Sequence, residues 1–247
     1  MADSTHSRTF WSNLALGVGC ALLGAAGGWY WQAGRAPGGA GRAAIEQVVH
    51  DYLIANPEVL QSASAELDRK AALSQLDPIR AEVERAAPGV VLGNPAGRIT
   101  LVEFTDYACT YCRRSNADVD ALIAANPDLK VVVRELPILS PQSADAARMA
   151  IAAGEQGRYA AFHKAMFAAG QPDPQSIAAA AAAAGLDLTR ARQIAGAPAT
   201  EQELAGNLDL ARKLGFSGTP SWVVGDTLLT GAVGAERLAA AIADARS

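Results

Sequence analysis

Cys109 and Cys112 are two thiols separated by two residues, a spacing that allows them to close into a disulfide with each other. A thiolate is the nucleophile of thiol–disulfide exchange. It is stabilised where the unpaired backbone N–H groups and the dipole of a helix N-terminus face it. If a helix begins at this pair, the motif predicts redox chemistry.

Two other interpretations of the pair compete with redox chemistry. A zinc site needs four ligands, and outside the pair the chain offers only Cys20 and the histidines at 6, 50 and 163. A purely structural disulfide is the second alternative, but a bridge across so small a loop restricts little of the unfolded chain. Redox chemistry is therefore favoured over both.

The elements around the motif are those that a reactive dithiol needs. Residues 99–104 form an apolar run rich in β-branched side chains, which predicts a buried strand. Residues 113–125 follow the motif and carry Val119, Leu122 and Ile123 at helical spacing. A strand, a short turn and a helix would place Cys109 at the helix N-terminus.

A second motif lies far along the chain, where Thr219 and Pro220 precede the apolar residues 222–224. Proline has no N–H group, so it belongs at the first residue or the edge of a strand. Cis peptide bonds occur almost only before proline. We predict a cis Thr219–Pro220 bond that faces the thiols; a trans proline at the start of the strand is the alternative.

Residues 94–112, with Asn-Pro at 94–95 and Glu-Phe-Thr-Asp-Tyr-Ala-Cys-Thr-Tyr-Cys at 103–112, resemble the active-site stretch of the DsbA family of thioredoxin-fold oxidoreductases. Leu-Pro-Ile-Leu at 136–139 and Gly-Thr-Pro at 218–220 match further segments, so the resemblance covers about residues 89–247. Within that family, residues 45–67 are similar to the N-terminal helical segment of the Scs-type copper-tolerance proteins of the periplasm.

The resemblance implies a role for each matching residue. Cys109 would be the exposed nucleophile and Cys112 its buried partner. Thr219 and Pro220 would form the loop whose backbone binds an extended substrate segment beside the thiols. Glu103 would be a buried carboxylate that assists proton transfer to and from Cys112; a partly exposed strand glutamate is the alternative.

Tyr111 marks a departure from the strongest oxidants of the family, which carry histidine immediately before the second cysteine. A neutral phenol does not supply the charge of an imidazolium, so we expect a less oxidising disulfide. We also expect Tyr111 to contact substrate. Two further residues have no catalytic role in this interpretation: Tyr107 is expected to pack beside the thiols, and His163 to be an ordinary histidine on the surface of a helix.

The amino-terminal region predicts export. Residues 13–31 are nearly uncharged and long enough to approach a membrane span, and aromatic residues close the segment at 29–31. An uncleaved anchor is favoured over a cleaved signal peptide and over a lipoprotein signal at Cys20. Arg35 and Arg42 favour the opposite orientation, but a dithiol that works oxidised belongs outside the cytosol. We expect a periplasmic protein tethered to the inner membrane.

A glycine-rich linker at 34–41 separates this segment (residues 1–41 in all) from a helical arm at 42–88. Apolar residues recur at helical spacing over 45–53, Asn56 and Pro57 interrupt the pattern, and a second helix is predicted over 59–76. Asp77 and Pro78 predict an N-cap and first turn for a helix over 79–86. Because the arm is too small to form a core alone, we expect self-association through residues 43–87, with packing on the catalytic domain as the alternative.

Residues 89–247 are predicted to form one domain. After the motif helix come a strand at 129–136, a helical insertion at about 140–214, strands at 221–224 and 227–229, and a final helix at 235–245. The fold class is therefore α/β: a thioredoxin-like core with a multi-helix insertion, preceded by the helical arm and the membrane anchor. The net charge of −4 and the absence of a basic stripe exclude a nucleic-acid footprint.

The sequence thus predicts an exported thiol–disulfide oxidoreductase that forms or isomerises disulfides in protein substrates. Its expected partners are proteins with thiols or disulfides and a membrane redox protein, and no cofactor or metal is expected. The alternative is a copper-tolerance protein that binds Cu(I) through the same cysteine pair. The direction of electron flow stays open.

Overall fold

The computed structural model describes residues 24–26, 28–30 and 39–246. The chain divides into two compact units between Ser64 and Ala65. Within the described residues no helix is both long enough and apolar enough to cross a membrane. The predicted span at 13–31 lies mostly outside these residues.

Two helices form the predicted arm: α1 (Gly39–Ala55) and α2 (Glu58–Leu76). The expected interruption at Asn56 is confirmed, because its backbone N–H and its side-chain amide both donate to the carbonyl of Tyr52 and end α1 there. The apolar stripe of α1 faces solvent. Four of its five large side chains are at least half exposed, namely Ile45, Val48, Val49 and Tyr52, whereas Leu53 is partly buried.

The predicted cap at Asp77 is wrong. Residues Asp77–Ile79 form a 3-10 turn that continues directly from α2, and only Arg80–Val83 is helical beyond it (α3). The Asp77 carboxylate accepts a hydrogen bond from the Arg80 guanidinium at 2.9 Å instead of capping backbone N–H groups. Arg80 also reaches the carbonyl of Gly225 at 2.7 Å, so this side chain ties the turn to the sheet.

The second unit is built on a five-stranded sheet in the order β1-β3-β2-β4-β5. The strands are β1 (Val91–Gly93), β2 (Ile99–Thr105), β3 (Leu129–Glu135), β4 (Ser221–Val224) and β5 (Thr227–Thr230). Only β2 and β3 pair in parallel. The crossover that a parallel pair requires is the predicted motif helix, α4 (Thr110–Ala125).

The predicted helical insertion lies between β3 and β4. It comprises α5 (Pro141–Glu155), α6 (Tyr159–Ala169), α7 (Pro174–Ala183), α8 (Leu188–Ala195) and α9 (Pro198–Lys213), and α10 (Ala235–Asp244) closes the chain. The α/β thioredoxin-like core with a helical insertion is thereby confirmed. Strand β1 was not predicted from the sequence.

The two faces of the sheet bury different partners, because side chains alternate along a strand. Leu101 and Val131 lie on the face covered by the motif helix α4, the insertion helices α5 to α8 and α10. Val102 and Val132 lie on the other face, where the end of α2, α3 and α9 supply Leu76, Val83, Leu210 and further apolar residues. The dithiol, and every buried side chain at odd positions of β2, therefore share the first face.

Candidate active site

The turn before the first cysteine is fixed by Asp106. One carboxylate oxygen accepts the Ala108 N–H at 2.8 Å, and the other accepts the N–H groups of Ile138 and Leu139 at 2.9 Å each. Its backbone carbonyl accepts the Cys109 N–H at 3.0 Å. Asp106 thus joins the turn to the 137–139 loop. Asp106 was not among the residues predicted for the site, although an aspartate two residues before a turn N–H is a known turn signal.

Cys109 lies at the predicted position, as the N-cap residue of α4 with an extended backbone. Its Sγ accepts the Cys112 N–H at 3.3 Å, and its thiol lies 3.3 Å from the carbonyl oxygen of Thr219. Both cysteines are free thiols. The expected exposure of Cys109 is wrong: Cys109 is only 5% exposed and is buried like Cys112 at 0%, because the Thr219–Pro220 loop lies against its sulfur.

The Thr219–Pro220 bond is cis, as predicted, and the Thr219 carbonyl faces the thiol of Cys109. The loop is held on both sides. The Gly231 N–H donates to the Pro220 carbonyl at 2.8 Å, and the Ser221 hydroxyl donates to the Gly218 carbonyl at 2.7 Å. The structure therefore brings together two motifs that lie more than a hundred residues apart in sequence.

Glu103 is fully buried on the dithiol face, so the alternative of a partly exposed glutamate is excluded. None of the described residues donates a formed hydrogen bond to either carboxylate oxygen. Burial raises its pKa to about 8, against a smaller opposing effect of the nearby Thr105 hydroxyl. Burial also raises the pKa of Cys112, and the charge of Glu103 raises it further, while the Thr105 and Thr219 hydroxyls favour the thiolate.

Tyr111 does not join this buried group. Its side chain is 56% exposed, and the guanidinium of Arg114 lies 5.4 Å from the centre of its ring. Ile138 and Leu139, on the loop held by Asp106, are also exposed apolar side chains. The surface around the first cysteine therefore carries apolar groups, while the polar groups lie beneath it.

The expectation of a surface histidine at 163 is wrong. His163 is 4% exposed, and its Nδ1 lies 3.2 Å from the hydroxyls of both Tyr107 and Tyr159. Its Nε2 lies 3.2 Å from the Asn116 side chain of α4. Burial lowers its pKa to about 3, so it is neutral at physiological pH. Its helical spacing from the apolar residues at 159, 162 and 166 was the signal of a buried position.

Glu135, at the end of β3, completes this network. Its Oε1 accepts hydrogen bonds from the hydroxyls of Tyr107 at 3.0 Å and Tyr159 at 2.8 Å, whereas its buried Oε2 has no partner among the described residues. Burial raises its pKa to about 8, and the charges of Asp106 and Glu103 add to the effect. Tyr107 is fully buried in the same apolar cluster as the two cysteines, as predicted.

A cavity of about 560 Å³ lies between α4 and α6. Polar side chains on its wall are Arg113, Asn116, Asp120, His163 and Lys164, and Val119, Ile123 and Phe167 contribute apolar surface. Neither cysteine lines it. Across the described part of the chain, no three His, Cys, Asp or Glu side chains are grouped in a way that could hold a metal ion.

Comparisons with known proteins place these observations in a family context. The model of the DSBA-like thioredoxin domain matches residues 100–243, and the model of the copper resistance protein ScsC N-terminal domain matches residues 42–72. Among curated proteins, the Na(+)/H(+) antiporter NhaA 1 of Salinispora arenicola is 30% identical over 158 residues. That match covers 63% of this chain but 24% of the antiporter, so the chain spans about a quarter of the length of these relatives.

Three solved structures are similar in fold and sequence. A thioredoxin-like oxidoreductase from Silicibacter pomeroyi is 42% identical, with 68% of this chain and 97% of that chain covered and a TM-score of 0.65. Proteus mirabilis ScsC in a transitional conformation is 28% identical, with 84% and 97% covered and a TM-score of 0.64. A periplasmic thioredoxin-like protein from Salmonella enterica is 28% identical, with 68% and 95% covered and a TM-score of 0.59.

Proposed function

The chain belongs to the DSBA-like thioredoxin family, a family of thiol–disulfide oxidoreductases, and we propose that it forms or isomerises disulfide bonds in exported protein substrates. One observation carries the proposal. The Cys109 sulfur lies at a helix N-terminus between the Cys112 N–H and the carbonyl of Thr219, each 3.3 Å away. The N–H stabilises a thiolate, and the loop offers a backbone beside it to which an extended peptide can bind.

In the oxidising direction, a substrate thiolate attacks Cys109 of the Cys109–Cys112 disulfide. The bond between the two cysteines breaks, a mixed disulfide forms, and Cys112 leaves as a thiolate. Protonated Glu103 supplies the proton that Cys112 then takes up. A second substrate thiolate attacks the substrate sulfur of the mixed disulfide and releases Cys109, so two electrons pass from the substrate to the dithiol.

In the isomerising direction, the Cys109 thiolate attacks a wrong substrate disulfide. Cys112 provides release: it gives its proton to the Glu103 carboxylate and attacks the mixed disulfide at Cys109. Because burial and the Glu103 charge both favour the protonated thiol of Cys112, this release step needs a base inside the protein. Glu103 is the carboxyl placed to serve, since its pKa of about 8 leaves both protonation states accessible.

Substitution of each cysteine tests the assignment. Cys109→Ser is expected to abolish exchange with protein substrates, whereas Cys112→Ser is expected to attack once and accumulate mixed disulfides visible on non-reducing gels. Cys20→Ser is the control for the third cysteine of the sequence and should leave exchange unchanged. Exchange that survives in Cys109→Ser contradicts the assignment of the nucleophile.

We further propose that residues 43–87 mediate self-association, which would present several dithiols to one substrate and favour isomerisation. The match to the ScsC N-terminal domain and the exposed stripe of α1 support this. In the full chain, Val48→Ser with Tyr52→Ser should yield a monomer by analytical ultracentrifugation and lower the reactivation of scrambled ribonuclease. Glu46→Gln, an exposed polar position of the same helix, is the control. A monomeric wild type refutes the oligomer.

The proposed location is the periplasm, with residues 13–31 as an inner-membrane tether or as a cleaved signal peptide. The periplasmic relative supports export, and a membrane redox protein is the expected electron partner. Alkaline phosphatase fused after residue 40 should be active in cells. An inactive fusion removes the export proposal, and the apparent mass of the processed chain distinguishes a tether from a cleaved signal.

Binding of Cu(I) by the cysteine pair is the second candidate, which the copper-resistance name of the N-terminal match supports. Two-coordinate Cu(I) would require both sulfurs as thiolates. Burial and the Glu103 charge oppose ionisation of Cys112, so the geometry favours exchange. A purified protein without copper, whose exchange rate is insensitive to a copper chelator, would eliminate the copper function.

A further inference from the structure

Glu135 takes no part in the exchange steps, yet it lies on the same face of the sheet as Glu103. In the parallel pairing of β2 and β3, Glu103 is opposite Val133 and Thr105 is opposite Glu135. The two glutamates are therefore diagonal neighbours. Their Cα atoms are roughly 8 Å apart, from a strand spacing of about 4.8 Å and a rise of about 3.3 Å per residue.

The groups that face the Glu135 carboxyl are acids, phenols and a neutral imidazole. Asp106 and Glu103 are the nearby acids, the hydroxyls of Tyr107 and Tyr159 donate to Oε1, and His163 contacts both phenols. Within the described part of the chain, neither an arginine nor a lysine forms an ion pair with this carboxyl. A buried carboxyl without a cation is far easier to protonate than one in a salt bridge.

The hydrogen bonds oppose the effect of burial. The hydroxyls of Tyr107 and Tyr159 both donate to Oε1, and the Nδ1 of the neutral His163 ring contacts both phenols, while its Nε2 lies 3.2 Å from the Asn116 Oδ1, which can only accept. All donors at Oε1 favour the charged carboxylate, while burial favours the neutral acid. The unpartnered Oε2 is the atom on which a proton would reside. Such a balance places the titration near neutral pH.

We propose that Glu135 is a positioning residue for the dithiol: its charge sets the pH range in which Glu103 exchanges a proton with Cys112. The proposal rests on the function proposed above for Glu103. The step is a proton transfer only. When Glu135 is ionised, Glu103 retains its proton and can donate it to the Cys112 thiolate; when Glu135 is neutral, Glu103 ionises more readily and can accept the Cys112 proton.

The size of the coupling follows from the separation. With the Cα separation of roughly 8 Å taken as the distance between the two carboxyls, a unit charge at an effective dielectric constant of about 20 moves the pKa of its neighbour by roughly one to two pH units. Removal of the Glu135 charge should therefore lower the titration midpoint of Glu103 by that amount. A residue that only held the fold together would leave this midpoint unchanged.

The experiment titrates the Glu103 carboxyl directly, by carbon-13 NMR of the full chain with labelled glutamate, assigned through the signal lost in Glu103→Gln. Glu135→Gln keeps an oxygen that accepts from both phenols and removes the charge. Tyr159→Phe removes one hydrogen-bond donor and keeps the Glu135 carboxyl, so Glu135 stays neutral to higher pH. The titration midpoint of Glu103 should then fall, as in Glu135→Gln, but by a smaller amount. Asp120→Asn removes an exposed charge from α4 and should shift nothing.

A second measurement follows the pH dependence of mixed-disulfide release by Cys112. In Glu135→Gln, the pH profile of release is expected to move to lower pH by the same amount as the Glu103 midpoint. An unchanged Glu103 midpoint in Glu135→Gln overturns the inference, and if that variant does not fold, an unchanged midpoint in Tyr159→Phe does so. A shifted midpoint with an unchanged release profile supports the coupling and refutes the catalytic role of Glu103, so the two failures are distinguishable.

Discussion

Arg134 and Glu135 are consecutive residues of β3, both are buried, and they point to opposite faces of the sheet. Arg134 is saturated with partners. Its Nη1 donates to Glu203 at 2.9 Å and to Asn207 at 3.0 Å, and the rest of its guanidinium donates to backbone carbonyls at 82, 83 and 85. Glu135 has two donors on one oxygen and none on the other.

The difference in partners gives the two residues different roles: Arg134 stabilises the fold, whereas Glu135 can titrate. A buried charge with all its hydrogen bonds made and a counter-ion beside it is held in one state, and Arg134 uses that state to fix the end of α3 to the sheet. A buried carboxyl without a cation can change its charge near neutral pH, which is what proton transfer to a thiolate requires. The sheet therefore carries a permanent charge on one face and titratable charges on the face of the dithiol.

The largest expected effect on stability comes from removing Arg134, whose hydrogen bonds are all made. Arg134→Met leaves the partly buried Glu203 carboxylate and the carbonyls at the end of α3 without their hydrogen-bond donor. We expect the free energy of unfolding, measured with urea, to fall by about 3–5 kcal/mol. Arg148→Met, which removes a partly exposed pair with Asp145 and Glu201, should cost about 1 kcal/mol or less. Equal losses in the two variants would contradict the structural role of Arg134.

The titratable side should respond to pH instead. The folded-state pKa of Glu103 is raised to about 8 from 4.5, so the folded protein binds more protons than the unfolded chain between these values. The stabilising contribution of the neutral acid is complete below pH 4.5 and is lost as pH rises through 8. Between pH 5 and pH 9, wild type should lose about 4 kcal/mol more stability than Glu103→Gln.

Urea unfolding of both proteins at the two pH values, with the cysteine pair oxidised, measures this difference without a contribution from thiol titration. Glu236→Gln, an exposed glutamate of α10, is the matched control and should follow wild type. A Glu103→Gln protein with the same pH dependence as wild type would show that Glu103 does not titrate inside the fold.

The same contrast explains what the sequence could predict. Strands β2 and β4 and the N-cap position of Cys109 follow from local patterns: β-branched runs and a strand–turn–helix order. The cis bond before Pro220 does not, because the local pattern alone favours a trans proline and the prediction of cis depended on the distant Cys109–Cys112 motif. Alternation along β3 also implies that neighbours 134 and 135 face opposite ways. Local patterns do not show which of these two charges has a counter-ion, because the partner of Arg134 is Glu203, on a helix some seventy residues later in the sequence.

Three of the failed predictions each have their own physical reason. His163 contacts Tyr107, which is distant in sequence, although its helical spacing from the apolar residues at 159, 162 and 166 already indicated a buried position. Strand β1 has three residues at a sheet edge, too few to show a period. Asp77 has the composition of a cap, but the Arg80 side chain takes its carboxylate. A partner distant in sequence, a strand too short to show a period and a local competitor for one carboxylate account for the three cases.

Acid should act on the neutral histidine. Burial lowers the folded-state pKa of His163 to about 3 from 6.5, so the unfolded chain binds more protons in this window and stability falls as pH drops through it. Wild type should lose about 1–2 kcal/mol between pH 7 and pH 5 that His163→Gln does not lose. His50→Gln, at an exposed position of α1, should behave as wild type; an acid response shared by both variants would contradict the assignment.

The smallest expected effect comes from Tyr111, an exposed side chain beside the dithiol motif. Tyr111 occupies the first turn of the motif helix but is 56% exposed and contacts only Arg114 among the described aromatic–cation pairs. If the buried carboxyls carry the proton chemistry, Tyr111 contributes contact area to a bound peptide and nothing to proton transfer. Tyr111→Ala should raise KM for a peptide disulfide about threefold, with kcat unchanged and the pH profile of release unmoved.

Tyr111→Phe keeps the ring and should restore wild-type KM, while Arg114→Ala separates the ring from its neighbouring cation. A pH profile displaced in Tyr111→Ala would show that an exposed group shares in the proton chemistry. The proposal that the buried carboxyls alone carry the proton transfer, with Tyr111 contributing only contact area, would then be wrong. An unchanged KM would instead remove Tyr111 from the substrate-binding surface. Thr219, whose carbonyl faces the thiol, and the exposed Ile138 and Leu139, on the loop that Asp106 joins to the turn before Cys109, would then remain as candidates.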